Sequence, residues 1–154
     1  MSSSLPVPRP GYHSVTPTLT LKNCAAAIDF YKAAFNAVEL YRLAMPNGSV
    51  MHAEIKIGDS TLMVSDEFPD WGCLSPLSTG GFPSALMIYV ENVDAVFAQA
   101  LAAGATELRP VTDQFWGDRS GQVQDPYGYK WSVSTPMEDV SPEELARRAA
   151  SFCS

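Results

Sequence analysis

The chain states one pattern twice. Leu19-Thr-Leu-Lys-Asn23 runs into Cys24-Ala-Ala-Ala-Ile-Asp-Phe-Tyr-Lys-Ala-Ala-Phe35, and Ile88-Tyr-Val-Glu-Asn92 runs into Val93-Asp-Ala-Val-Phe-Ala-Gln-Ala-Leu-Ala-Ala103; the two asparagines stand 69 positions apart. Gly58-Asp-Ser-Thr-Leu-Met-Val64 returns 70 positions later as Gly128-Tyr-Lys-Trp-Ser-Val133. The repeated unit therefore holds a strand, a helix and a closing hairpin. Two such units imply two half-sites that face a common cleft. At 154 residues and 46% hydrophobic content the chain can bury one sizeable core, so the two copies are expected to share it as a single domain over residues 14–140.

Within that domain the first module spans about 14–65, a linker or lid 66–83 and the second module about 84–135. Residues 1–13, rich in proline and serine without periodicity, read as a flexible arm. In the first module, alternation marks a strand up to Leu21 and Asn23 supplies an N-cap. Ile28, Tyr31 and Phe35 give the following helix its buried stripe. Strands follow over 38–45, 51–57 and 60–65, with turns at Pro46-Asn-Gly48 and Gly58-Asp59. The second module starts with a strand over 84–90 and a helix capped by Asn92 and closed by Gly104. Its later strands are expected to be broken by Pro110 to Gly121. Ser141-Pro-Glu-Glu144 is a capping box that opens a C-terminal helix over 141–154, with Leu145, Ala149 and Phe152 on one face.

Charge narrows the partners. Ten Lys and Arg stand against 17 Asp and Glu, a net charge of −7 with no basic stripe, so nucleic acid is an improbable partner. No apolar run reaches the roughly 18 residues that a membrane span needs, and the first residues lack a secretory pattern. Cys24, Cys73 and Cys153 form an odd set without metal-ligand spacing, which suits a reducing compartment. A cytoplasmic protein with no membrane partner is expected. Cys24, at a helix start, is either a thiolate favoured by the helix dipole or a small apolar filler.

The twofold βαβββ pattern, Ala-Ile-Asp-Phe-Tyr-Lys-Ala-Ala-Phe in the first helix and Asp125-Pro-Tyr-Gly128 before the last strand resemble the vicinal oxygen chelate superfamily, the glyoxalase, bleomycin-resistance and extradiol dioxygenase group. His52-Ala-Glu54, Ser65-Asp-Glu-Phe-Pro69, Asp113-Gln-Phe-Trp-Gly-Asp-Arg119 and Glu138-Asp-Val-Ser-Pro-Glu-Glu144 resemble its PhnB-like branch. The resemblance implies an α+β fold of two βαβββ modules whose curled mixed sheets surround a cleft, with helices on the outer face and a short C-terminal helix. It also implies a small organic ligand and a homodimer.

On that frame, alternation sorts the side chains. Leu19, Leu21, Met51, Ala53, Ile55, Ile57, Leu62 and Val64 should face the first helix. Thr16, Thr18, Thr20, His52, Glu54, Lys56, Thr61, Met63 and Ser65 should face the cleft, joined from the second module by Met87, Tyr89, Ser132 and Ser134. The metal-ligand positions of the superfamily fall, by the same resemblance, on Thr16, Met63, Ala85 and Ser132, none of which is a competent ligand in that role. No metal and no other cofactor is expected.

His52 and Glu54 remain as the candidate catalytic pair. They can ligate a displaced metal with a third donor, act as a metal-free acid-base or substrate-contact pair, or simply solvate a sheet face. Thr18, Met63, Met87, Tyr89, Trp116, Arg119 and Ser132 are the candidate ligand-binding residues. Trp116 either packs or stacks on a ligand; Arg119 either meets an anionic group or anchors its loop through a carboxylate. Three functions compete: metal-free binding of a small molecule, a metal-dependent lyase, isomerase or dioxygenase, and a dimeric scaffold whose cleft is filled.

Overall fold

A computed structural model describes residues 4–153. Among the described residues the fold is α+β, with four helices and two four-stranded mixed sheets, neither closed into a barrel. The chain divides into two compact units, residues 1–81 and 82–154.

In the first unit, β1 (Thr18–Leu21) leads into α1 (Cys24–Phe35), followed by β2 (Val38–Ala44), β3 (Val50–Ile57) and β4 (Ser60–Asp66). The sheet order is β1-β4-β3-β2, with β1 parallel to β4 and the other pairs antiparallel. Helix α1 covers one face. Its Cys24, Ala27, Ile28, Phe30, Tyr31, Ala34 and Phe35 are buried with Leu19, Leu21, Ala53, Ile55, Ile57, Leu62 and Val64 of the strands. Alternation explains most of this set. Met51, however, is only half-buried, and Val50 takes the core place expected for it. The cause is a bulge: Leu43 pairs with His52 but Ala44 pairs with Val50, so β3 carries one extra residue and its side-chain phase slips.

Asp66 ties this bulge to the helix. Its Oδ1 accepts from Cys24 N at 2.8 Å, at the start of α1, and its Oδ2 accepts from Val50 N at 2.7 Å. Asn23 adds the side-chain cap, accepting from Ala26 N at 3.3 Å. Cys24 itself is fully buried, and burial, with Asp66 beside it, pushes its thiol up to about 12. That environment makes it an apolar filler rather than a thiolate.

The segment after β4 is folded locally. A 3-10 turn covers Pro69–Trp71, α2 spans Pro76–Thr79, and Phe68 bridges Cys73. Its organiser is Glu67, whose Oε1 accepts from Ser75 N at 2.9 Å, Ser75 Oγ at 2.6 Å and Ser78 Oγ at 2.5 Å. These donors, the Ser75 hydroxyl first, lower the Glu67 carboxyl from 4.5 to about 2. A carboxyl whose folded pKa lies below its unfolded one stabilises the fold above the unfolded value and loses that contribution as pH falls through the folded value. Glu67→Gln is therefore expected to melt a few degrees below the unsubstituted protein at pH 7. The gap should close between pH 4.5 and about 2, as thermal melts across that range would read.

In the second unit, β5 (Leu86–Tyr89) and α3 (Val93–Ala103) precede β6 (Thr106–Asp113), β7 (Asp118–Gln124) and β8 (Lys130–Pro136), in sheet order β5-β8-β7-β6. Val93, Phe97 and Ala100 of α3 are buried with Val123, Trp131 and Val133. Thr135 repeats the role of Asp66, its Oγ1 accepting from Val93 N at 2.9 Å at the start of α3. The expected break from Pro110 to Gly121 is a misreading. β6 runs through Pro110 and β7 begins at Asp118, so the interruption shrinks to a turn at 114–117. Pro110 is tolerated because β6 is an edge strand and a bulge lies between Arg109 and Thr112. Helix α4 (Pro142–Phe152) starts on Ser141, whose Oγ accepts from Glu144 N at 3.2 Å. It is held to the 114–117 turn by Arg148, which donates to the Phe115 carbonyl at 3.0 Å and to Glu138, and by Phe152 against the Phe115 ring.

Candidate functional site

Strand register assembles the first unit's site. Thr18 of β1 pairs with Met63 of β4, Met63 with Glu54 of β3, and Glu54 with Tyr41 of β2, so one row crosses the sheet on the face opposite α1. His52 sits two residues from Glu54 and shares its face; its Nε2 donates to Glu54 Oε1 at 3.3 Å, and its ring lies 6.2 Å from that of Tyr41. Both side chains are partly shielded, 35% and 23% exposed.

The N-terminal arm completes this row. Gly11 O accepts from Thr61 Oγ1 at 2.8 Å, and His13 Nε2 donates to the Asp59 carbonyl at 3.2 Å, which lays residues 11–13 along the sheet. Tyr12 then donates its phenol to Glu54. That bond, followed by the one from His52, holds the Glu54 carboxyl below the usual range against the opposing effect of burial. Burial and Glu54 together push the Tyr12 phenol up to about 12. Glu54 is thus a carboxylate and Tyr12 a neutral donor at neutral pH. Above them opens a pocket of about 650 Å³, walled by Pro6, Pro8, Arg9, Pro10 and Tyr12 of the arm and floored by Thr16, Glu54 and Met63. That volume falls in the range of small-molecule sites.

The second unit builds the same row from different chemistry. Met87 pairs with Ser132, Ser132 with Gln122, and Gln122 with Arg109. Met87 and Ser132 thus stand where Thr18 and Met63 stand, each 69 positions on, and Gln122 takes the place of Glu54. Gln122 Nε2 donates to Ser132 Oγ at 3.1 Å. Tyr89 follows on the exposed side of β5.

Two expected members do not join this row. Arg119 is one residue out of phase with Ser120 and Gln122 on β7, which turns it toward α3. There it donates to both carboxylate oxygens of Asp94 at 2.9 Å and to Asp113 at 3.1 Å. These bonds supply the carboxylate anchor that is one of its two expected roles. Trp116 lies in the 114–117 turn with its ring edge-on to Phe115, centroids 5.1 Å apart.

Within neither unit do the expected ligand positions fit a divalent ion. Thr16 spends its hydroxyl on the His13 carbonyl, Met63 offers a thioether, Ala85 nothing, and Ser132 a hydroxyl already engaged by Gln122. Among the described residues no three His, Cys, Asp or Glu side chains converge.

Tyr12, Arg9 and Gln122 were not legible as site residues. The arm has no periodicity to place Tyr12, and the expected break before Gly121 hid the phase of β7. The strand alternation of Gln122 and Gln124 about Val123 was the available signal.

Comparison with known proteins agrees with the fold. Residues 13–133 match the family model of the Glyoxalase/Bleomycin resistance protein/Dioxygenase superfamily. The protein Mb0911c of Mycobacterium bovis is 42% identical over 135 residues, covering 86% of this chain and 89% of that protein. Among solved structures, the Arabidopsis thaliana gene product At5g48480 superposes with a TM-score of 0.64 at 24% identity, covering 80% of this chain and 98% of that one. The PhnB protein of Bacillus cereus gives 0.62 at 21% identity, covering 80% and 99%. At those identities the superpositions speak for fold alone.

Proposed function

Because this chain belongs to the glyoxalase/bleomycin resistance protein/dioxygenase superfamily, we propose that it binds a small organic molecule over Glu54 of its first unit without the metal that many such sites use. The observation that carries this reading is the ionised Glu54 carboxylate, clasped by Tyr12 and His52 under an open pocket, with the Met63 thioether at a metal-ligand position. An acid-base enzyme would use the same groups. A carboxylate held below its usual range is a weak base, however, so the arrangement favours binding over proton abstraction. Exposed Val38, Leu40, Tyr41 and Leu43 on β2, 44 to 58% accessible, support a homodimer as part of the proposal. Three free cysteines support a cytoplasmic setting.

Native mass spectrometry with elemental analysis of freshly purified protein tests the reading. A dimer carrying an organic mass that Glu54→Gln diminishes, without stoichiometric metal, is the expected result. Stoichiometric metal lost on substituting His52 or Glu54 would replace it with a metal-dependent lyase, isomerase or dioxygenase.

A further inference from the structure

Resting on the binding role proposed above, we infer that the pocket over Glu54 selects a small organic cation: a protonated amine carried on an apolar or aromatic frame. Three observations converge. The floor holds one carboxylate, and it is charged at neutral pH. Tyr12 and His52 each occupy one acceptor direction on that carboxylate, while a carboxylate offers about four, so it has capacity for a ligand's ammonium.

The surroundings suit the rest of such a molecule. Pro6, Pro8 and Pro10, the Tyr12 ring and Met63 give apolar, aromatic and polarisable walls, the setting in which an organic ammonium is held by charge and by ring faces together. An anionic ligand would meet Glu54 as a like charge at short range. Arg9 does not reverse this, because it is exposed on the arm and its field is the weakest of the influences on Glu54, whereas Glu54 is mostly shielded from solvent. The net charge of −7 adds a long-range attraction for cations.

A charge series on the full-length chain tests this. Phenethylammonium, neutral 2-phenylethanol and anionic 3-phenylpropionate share a frame and differ at the head group. Titrated against labelled protein and followed by NMR, phenethylammonium should shift the Met63 methyl and residues 8–13 and bind at least about tenfold more tightly than the alcohol, a charge-assisted bond's worth of affinity. The anion should bind more weakly still. Glu54→Gln should collapse the preference for cation over alcohol.

Equal binding of cation and alcohol, preference for the anion, or a preference that survives Glu54→Gln would overturn the cation assignment while leaving a binding pocket. Failure of all three probes to perturb these residues would overturn the pocket reading and the assignment with it. The comparison among probes on the unsubstituted protein stands even if the variant folds poorly.

Discussion

Trp131→Ala is expected to cost the second unit about 3–5 kcal/mol, read as a loss of denaturation midpoint at unchanged slope. Trp131 is 1% exposed near the start of β8, the largest fully buried side chain among the described residues, between Val123 of β7 and Leu86 of β5 in the strand register. Its indole also donates to Asp125 Oδ2 at 2.8 Å, while Oδ1 of the same carboxylate accepts from Tyr127 N at 2.9 Å and Tyr129 N at 3.0 Å. One substitution therefore empties the core and removes a donor from the residue that shapes the β7–β8 turn. Against a total stability of roughly 5–15 kcal/mol for a typical domain, that loss leaves little margin. Trp131→Phe separates the two contributions: it keeps most of the apolar volume and forgoes the hydrogen bond, so it should cost about 1–3 kcal/mol. A loss under about 1 kcal/mol for the alanine variant would contradict the packing described for β8.

Gly117→Ala should be almost as damaging, about 2–4 kcal/mol, through backbone conformation and space together. Gly117 has φ +103°, and an added Cβ would lie 2.6 Å from the Glu138 carbonyl oxygen and 2.9 Å from Val140 Cγ2. The Gly117 carbonyl also accepts from Met137 N at 2.8 Å and Glu138 N at 3.1 Å, so the crossing segment cannot retreat without breaking those bonds. That segment leads to α4, whose Arg148 reaches Phe115 and Glu138 on either side of the glycine. Amide exchange in α4 should quicken in the variant along with the fall in stability. Gly48→Ala is the control. It shares the left-handed backbone at φ +86° but has nothing within 4 Å, so it should show only the conformational part, about 1–2 kcal/mol. Equal losses at the two glycines would mean that the close approach at Gly117 costs nothing.

The architecture was readable because each element carries its own local signal. Asn23 and Asn92 cap their helices as expected, and the Gly58-Asp59 turn sets Glu54 opposite Met63 because a tight hairpin fixes its register. What could not be read depends on partners distant in sequence. Tyr12 meets Glu54 across 42 positions of chain, and nothing in the proline-rich arm announces it. Arg119 was assigned to a loop, where side-chain direction is free; on a strand its direction is fixed by phase, and the phase turns it to Asp94. Asp66 and Thr135 close the two repeats at equivalent places, yet one carboxylate accepts from a helix start and from a bulge while the hydroxyl accepts from its helix start and donates to the Val90 carbonyl at 2.8 Å. Identical architecture tolerates that change because the requirement is an acceptor at the helix start, not a particular side chain.

The bulges in β2 and β6 reach beyond the two sheets that contain them. Each outermost antiparallel strand presents a row of backbone donors and acceptors that another chain could adopt as a template. β2 carries an extra residue between Glu39 and Tyr41, and β6 breaks on both sides of Arg109, with Pro110 deleting a donor outright. A foreign strand could therefore zip along either rim for only a few residues before losing phase. Irregularities that look like flaws in the ladder act as guards against runaway fibre growth.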